Sequence, residues 1–406
     1  MGTELNKTYQ REALNPEFPN MPKWEWESRI KKARGLMEKR GLDAIMILTD
    51  QDSLYFFGYA KPYKSVFPGV GIIPREGSTI LLSNADSADV VDMEGYVERN
   101  IGYRGDNRPT ATAPDPVSLV VEVVEELDLK TIGMEFGPFM WWDGFTMNEW
   151  ERFKSKLPEV EFVDATDLIW EMRMIKSDWE IEVMRRLYQV TCKGYFQIIN
   201  NARPGVNEKE LFYDALRIWI DEGIVSSGYY PLPAMTTAHS FRDRILKEGD
   251  WILLDGGPSY KGYVADIQRM IYIGDPGKET CRMAKWAYDG QKAAEEILKP
   301  GITAGDIWTA GVSKVAEGDP EIWRKVRSRR LNSWAGHGQG LNIHEPPYLI
   351  EGSDEVIKEG MIISIEIPSF DGKKFVNMPE DTYLITEDGF DKLTKDFGPG
   401  DIYVKI

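Results

Sequence analysis

Four acidic residues and one histidine near the C-terminal end lie in short apolar or glycine-bounded segments that are typical of β-strands: Asp255, Asp266, His337, Glu366 and Glu380. A strand that buries a carboxylate must compensate for its lost hydration, and a metal ion is the usual means. Four carboxylates and one imidazole are a ligand mixture that two adjacent hard divalent ions would accept. The chain is therefore expected to fold so that these five side chains converge around cations.

Length and composition limit the classes of protein to consider. The 406 residues predict two domains, and an apolar fraction of 42% is enough for ordinary buried cores. The formal net charge of −17 argues against nucleic acid or an anionic membrane as the main partner, because both are polyanions. The two cysteines, Cys192 and Cys281, exclude a disulfide framework and favour a reducing, cytoplasmic environment. The first residues contain no apolar signal-peptide core, and no apolar run approaches a membrane span.

The pattern of strands and helices predicts two domains after a polar, proline-containing arm. We place the arm at residues 1–22, an α/β domain with alternating strands and helices at 23–172, and a mixed strand and helix domain at 173–406. The fold class is therefore α+β for the chain as a whole. Ser177 to Glu180 form a capping-box pattern that predicts the start of a long helix over 178–201.

Two aspartates follow the pattern expected of one shared site. The segment WILLDGG places Asp255 at the end of an apolar strand, and GYVADIQRM places Asp266 in the next strand, eleven positions later. Neighbouring antiparallel strands can bring two such residues side by side, where they would repel unless a cation lay between them. The alternative is that both are turn aspartates, one of them capping Gly256.

Three histidines occur in the whole chain, and two of them share one glycine-rich segment. His337 and His344 lie in AGHGQGLNIHEPP, where the glycines allow other groups to approach closely. His239 lies in a loop before the Asp255 strand. Glu366 lies within the apolar strand GMIISIEI, which indicates a metal or an internal salt bridge to an arginine. Glu380 begins a strand, where a surface carboxylate would be unremarkable.

The order and spacing of these segments resemble the pita-bread metallopeptidase family, which includes methionine aminopeptidases, Xaa-Pro peptidases (prolidase and aminopeptidase P) and creatinase. The chain shows LLDGG, ADIQR, GHGQGL, IHEPP, ISIEI and PEDTYLITEDG in the order of that family. MRMIKSDWEIEVMR resembles the start of the catalytic domain of prolidases, and the two-domain layout resembles enzymes with a creatinase-like N-terminal domain. The resemblance covers residues 24–395 and implies a creatinase-like α/β domain followed by a pita-bread catalytic domain.

The resemblance implies a dinuclear metal site and a role for each matching residue. Asp266 and Glu380 would bridge two divalent ions (Mn, Co, Fe or Zn), with Asp255 on one ion and His337 with Glu366 on the other. A metal-bridging hydroxide would attack the carbonyl carbon of a peptide or amide C–N bond. By the same resemblance the catalytic residues are Glu366, which shuttles a proton, and His239 and His344, which polarise the carbonyl and attend the leaving nitrogen.

Two departures from the family pattern leave the substrate open. Gln268 stands where the family has a threonine beside the metals, and Met378 stands where peptidases of this group carry an arginine. An arginine there would hold a carboxylate or peptide oxygen bidentately. The leading hypothesis is an Xaa-Pro dipeptidase or aminopeptidase. The alternatives are a relative acting on a small non-peptide substrate (an ectoine- or creatine-type hydrolase, or a dimethylsulfoniopropionate lyase) and a non-catalytic binding module.

The binding module is disfavoured because such relatives lose metal ligands, whereas this chain keeps all five. The resemblance also implies a homodimer in which the N-terminal domain helps to cover a neighbouring subunit's site. The expected partners are then a small peptide or other small molecule and a second copy of the chain.

Overall fold

The structure of the 406-residue chain is a computed structural model. It describes residues 21–59, 69–84, 91–92, 95–103, 116–137, 147–224, 243–260, 262–318, 334–367, 369–370, 375–377, 379–395 and 404–405. Two residues of the sequence analysis, His239 and Met378, and most of the predicted arm lie outside these ranges. The chain divides into two compact units between Arg173 and Met174.

The first unit is an α/β structure built on a six-stranded sheet of order β4-β3-β2-β1-β5-β6. Strand β1 runs antiparallel to β2 and parallel to β5, so the sheet is mixed. Apolar residues of the sheet and of α3 form the buried core of this unit. The strands are β1 (Ala44–Ile47), β2 (Val70–Pro74), β3 (Ile80–Asn84), β4 (Arg99–Tyr103), β5 (Thr131–Met134) and β6 (Glu161–Asp164), and the helices are α1 (Lys23–Arg40), α2 (Asp50–Phe57), α3 (Pro116–Glu126), α4 (Met147–Lys156) and α5 (Thr166–Arg173).

The second unit contains an eight-stranded sheet of order β12-β11-β13-β16-β10-β18, with β17 paired to β16 and β7 paired to β10. Helices α8 and α9 pack their apolar faces against it and close a core of apolar side chains. The strands are β7 (Trp251–Asp255), β8 (Ser259–Tyr260), β9 (Tyr263–Val264), β10 (Gln268–Tyr272), β11 (Trp334–Gly338), β12 (Glu345–Ile350), β13 (Ile362–Glu366), β14 (Ser369–Phe370), β15 (Phe375–Asn377), β16 (Glu380–Ile385), β17 (Phe390–Lys392) and β18 (Val404–Lys405), and the helices are α6 (Asp178–Asn201), α7 (Glu208–Asp221), α8 (Lys278–Glu296) and α9 (Ala304–Gly318). The predicted α+β class is confirmed.

The long helix α6 begins where the sequence predicts. The Ser177 hydroxyl accepts from the backbone N–H of Glu180 at 3.2 Å, and the Glu180 carboxylate accepts from the backbone N–H of Ser177 at 3.1 Å. This reciprocal pair satisfies two backbone donors at the helix start. The predicted helix over 178–201 is confirmed.

The prediction that Asp266 lies within a strand is wrong. The chain forms β9 and β10 with a break at residues 265–267, so Asp266 lies between strands. Its backbone is held by side chains instead. The Asp266 N–H donates to the Tyr188 hydroxyl at 3.1 Å, and its carbonyl accepts from the Thr382 hydroxyl at 3.3 Å. Alternating apolar residues carried no indication of this break, because the partners come from distant parts of the chain.

Membrane crossing finds no support in the described helices, since none of them combines sufficient length with sufficient apolar character.

Candidate metal centre

Antiparallel pairing places four polar side chains in one row across the sheet of the second unit. Asp255 on β7 is opposite Gln268 on β10, Gln268 is opposite Glu380 on β16, and Glu380 is opposite Glu366 on β13. Directly opposed residues of antiparallel strands project from the same face. Three carboxylates and one amide therefore share one face of four adjacent strands.

His337 joins this face from the neighbouring strand β11. It is opposite Ser364, which lies two residues before Glu366 on β13 and therefore faces the same side. A side chain on the preceding Gly336, which has φ +145°, would collide with the Ser364 carbonyl oxygen. Only glycine permits this close approach of the two strands.

The five residues predicted as metal ligands lie close together. Single ligand atoms come within 4.8 Å of one another in three overlapping groups. One group is His337, Glu366 and Glu380, and a second is Asp255, Asp266 and Glu380. The third contains Asp266, His337 and His344. Asp266, His337 and Glu380 each belong to two groups, so the three groups overlap at these residues.

Burial opposes ionisation throughout the cluster. It raises the pKa of Glu366 to about 8, with the nearby Asp255 carboxylate adding to the effect. The pKa values of Asp266 and Glu380 also lie well above their usual range, first because of burial and then because of the neighbouring acids. Burial likewise raises the pKa of Asp255. Such a concentration of buried acids is expected to require cations before it can be fully ionised.

His337 is arranged as a neutral ligand. Burial lowers its pKa to about 4, so the imidazole is uncharged at neutral pH. Its Nδ1 lies 3.1 Å from the carbonyl oxygen of Gly338, which can only accept, so the proton resides on Nδ1. The Nε2 lone pair is then available, at 3.4 Å from Glu366 Oε1 and 3.7 Å from Glu380 Oε1. This is the tautomer that metal coordination needs.

Several polar atoms of the cluster are buried without a hydrogen-bond partner in the described part of the chain. They are Asp266 Oδ1, Gln268 Oε1, His337 Nε2 and Glu366 Oε1. An orphaned buried polar atom costs about 1–3 kcal/mol. Four such atoms in one cluster fit a site for cations, and hard oxygen with imidazole nitrogen is a donor set that divalent metals accept.

His344 lies beside this cluster. Its ring centroid is 4.2 Å from that of His337 and 4.8 Å from that of Trp334. Burial, with His337 as a second cause, lowers the pKa of His344 to about 3. At neutral pH it is therefore an uncharged imidazole that can donate a hydrogen bond towards the site.

The sequence did not predict the side chains that form hydrogen bonds with residues of the cluster. The Tyr188 hydroxyl on α6 contacts Asp266 and lies 2.9 Å from the Thr382 hydroxyl. The Ser364 hydroxyl donates to Glu380 Oε1 at 2.5 Å. A tyrosine in an amphipathic helix resembles any core residue, so the sequence carried no indication for Tyr188. Ser364 alternates with isoleucines in β13, and this alternation could have marked it as a polar residue facing the site.

A buried ion pair beside His344 was also missed. Lys176 Nζ lies 3.3 Å from Glu345 Oε2, and both side chains are 1% exposed. Glu345 Oε1 accepts from the backbone N–H of Asn342 at 2.9 Å. Because Glu345 follows His344 directly, this pair holds the loop that carries the histidine. The sequence showed only an acid in IHEPP, with no pointer to the distant lysine.

The sequence left two alternatives open, a salt bridge from Glu366 to an arginine and a surface position for Glu380. Neither matches the structure. Arg269, fully buried on β10, donates to Asp381 Oδ1 at 2.7 Å rather than to Glu366. Glu380 is 1% exposed and is therefore not a surface carboxylate. Both glutamates point into the same cluster.

Comparison with known protein families places this cluster in context. Residues 182–387 match Metallopeptidase family M24, and residues 29–175 match the Creatinase/Prolidase N-terminal domain. The chain belongs to metallopeptidase family M24. The predicted family, its two-part organisation and the prediction of a metal-dependent hydrolase are confirmed. Enzymes of this family use divalent metals, which agrees with the cluster of acids and histidine.

Individual relatives agree with the family assignment. The chain is 28% identical to an Xaa-Pro dipeptidase of Pyrococcus horikoshii over 382 residues, which cover 90% of this chain and 97% of the relative. It is 31% identical to an Xaa-Pro dipeptidase of Pyrococcus furiosus over 260 residues, covering 60% and 70% respectively. The crystal structure of the prolidase from Pyrococcus horikoshii superposes with a TM-score of 0.70 at 25% identity, covering 91% and 98% of the two chains. The two Pyrococcus horikoshii relatives therefore cover both parts of this chain.

Proposed function

We propose that Asp255, Asp266, His337, Glu366 and Glu380 hold two divalent metal ions, with Asp266 and Glu380 shared between them. The three overlapping ligand groups support this arrangement, because Asp266 and Glu380 each belong to two of them and a carboxylate has two oxygens with which it can bind both ions. Two such ions polarise a carbonyl oxygen and lower the pKa of bound water. The oxygen and nitrogen donors suit manganese, cobalt, iron or zinc.

The activity we propose is hydrolysis of the peptide bond before proline, as in an Xaa-Pro dipeptidase or aminopeptidase. The observation that carries it is the convergence of the five ligand residues in a chain that matches 97% of the length of an Xaa-Pro dipeptidase. We assign the proton shuttle to Glu366, because it matches the family residue with that role and its carboxylate lies within the ligand cluster. His344 can donate a hydrogen bond to the carbonyl oxygen as it gains charge. We retain His239 as the group that attends the leaving nitrogen.

A substrate panel tests this function. Chelator-treated protein is supplied in turn with manganese, cobalt, iron or zinc and assayed with Xaa-Pro dipeptides, longer Xaa-Pro peptides, creatine, ectoine and dimethylsulfoniopropionate. We expect release of proline from Xaa-Pro dipeptides, or of the N-terminal residue from longer peptides, that disappears on chelation and returns with metal. A matched dipeptide without proline is the control. Turnover of a non-peptide compound alone would reject the peptidase and select the alternative.

Replacing His344 with alanine tests whether this residue acts in catalysis and not as a metal ligand. We expect the variant to keep its metal, because the cluster retains all five proposed ligands, and to lose about 100-fold in kcat with little change in KM, because a donor to the developing oxyanion is gone. Metal analysis and steady-state kinetics on an Xaa-Pro dipeptide measure the two effects. Wild-type kcat in this variant would remove His344 from the mechanism.

We also propose that the protein is a cytoplasmic homodimer. The Cys192 thiol is buried and is not part of a disulfide, which fits a reducing compartment. Light scattering coupled to gel filtration measures the mass directly. A mass near the 46.4 kDa of one chain would reject the dimer.

A further inference from the structure

Gln268 occupies the place in the sheet between two of the proposed ligands. It begins β10, opposite Asp255 on one neighbouring strand and opposite Glu380 on the other. Opposed residues of antiparallel strands have Cβ atoms about 4.5–5.5 Å apart on the same face. The Gln268 side chain, which is 1% exposed, therefore lies among the acids of the cluster and is closed off from solvent.

The two ends of the Gln268 amide are satisfied differently. The side chain hydrogen-bonds the Asp255 carboxylate. An ionised carboxylate can only accept, so the amide NH2 group is the donor. The amide oxygen Oε1 is buried and has no hydrogen-bond partner in the described part of the chain. The neighbouring side chains on its face are acids, and ionised acids repel a carbonyl oxygen, so a cation is the group that would satisfy it.

We propose that Gln268 is a further protein group of the metal centre, whose amide nitrogen fixes Asp255 and whose amide oxygen is an additional neutral ligand. Side-chain amide oxygens are hard donors that divalent ions accept. A neutral ligand adds coordination without adding charge to a cluster that already contains four carboxylates. This inference rests on the proposed dinuclear centre and extends it to a residue type that the family pattern does not have at this position.

Metal titration of Gln268→Met tests the inference without relying on activity. Methionine keeps the length of the side chain and removes both polar atoms. Chelator-treated protein is titrated with manganese chloride by calorimetry, and bound metal is counted after gel filtration. We expect the Kd of one of two ions to rise by about 10–100-fold, the range for a lost partner of a metal site. In Gln268→Glu, which keeps an oxygen at the same reach, we expect a Kd within tenfold of the wild type.

Gln291→Met is the matched control. Gln291 is also 1% exposed, and its amide donates to Asp381 Oδ2 at 3.0 Å rather than to a proposed ligand. We expect this variant to lose thermal stability while its manganese affinity stays at the wild-type value. A purely structural role for Gln268 would make the two methionine variants behave alike.

Each outcome decides the inference. Wild-type manganese affinity in Gln268→Met would overturn it, and an equal loss in Gln268→Met and Gln268→Glu would overturn the ligand role of the oxygen. Absence of manganese binding by the wild-type protein would instead reject the proposed dinuclear centre, and this inference with it. If Gln268→Met does not fold, Gln268→Asn, which shortens the reach of the amide, is titrated in its place with the same expectation.

Discussion

Replacing His337 with alanine is expected to lower bound divalent metal from two ions towards one and to reduce turnover by more than about 100-fold, the upper range for losing a supporting partner of a metal. His337 Nε2 is buried, lies 3.4 Å from Glu366 Oε1 and has no hydrogen-bond partner in the described residues. Alanine would remove the uncharged imidazole nitrogen that lies beside the Glu366 and Glu380 carboxylates as a proposed metal ligand. Metal analysis and kinetics on an Xaa-Pro dipeptide provide the measurement.

The neighbouring histidine provides the control for this experiment. The centroid of the His344 ring lies 4.2 Å from that of the His337 ring, so each alanine variant removes one imidazole ring from neighbouring positions. Loss of metal is expected for His337→Ala alone. Full metal content and full activity in His337→Ala would contradict its assignment as a ligand and would leave the proposed dinuclear centre without its nitrogen donor.

Replacing Asp381 with asparagine is expected to lower the free energy of unfolding by about 3–5 kcal/mol, the cost of breaking a buried ion pair by removing one partner. Burial opposes ionisation of Asp381, but Arg269 and Lys392 hold its pKa well below the usual range. Arg269 Nη2 lies 2.7 Å and Lys392 Nζ 2.9 Å from its carboxylate, and the Thr394 hydroxyl donates to it at 2.6 Å. Asparagine removes the charge but keeps the shape, so the buried Arg269 loses the carboxylate that it contacts at 2.7 Å.

Urea unfolding of the chelator-treated protein measures this effect separately from any contribution of metal. The control is Asp391→Asn on the adjacent strand β17, where Asp391 pairs with Arg185 at 2.5 Å but both side chains are 40–50% exposed. Exposed pairs contribute only about 0–1 kcal/mol, so the midpoint should barely move. Equal midpoints for the two variants at unchanged slope would contradict the buried pair as a major source of stability.

The sequence predicted which residues form the cluster better than it predicted the side chains that support them. Glu366 stood out because strand segments rarely bury acids, and the order of the motifs identified the family and the other four residues. The break at Asp266 could not be predicted, because Tyr188 and Thr382 replace its strand partners from helix and strand positions far along the chain. Local patterns report periodicity, whereas these contacts depend on tertiary packing.

The same limit explains the role of Gln268. In the sequence it was only a departure from a family pattern beside the metals. The pairing of β10 with both of its neighbours gave it a place between Asp255 and Glu380, and its orphaned oxygen gave it a possible chemistry. The pair of Lys176 and Glu345 was equally invisible, because its members are 169 positions apart.

The row of side chains across β7, β10, β16 and β13 has a consequence for how this protein matures. A slip of one residue in any of these strands would turn its side chain to the opposite face and scatter the donors. Cations can therefore be captured tightly only after all four strands have aligned, and capture then favours the aligned state by mass action. Metal binding would therefore stabilise molecules with the correct strand register and not molecules in which a strand has slipped.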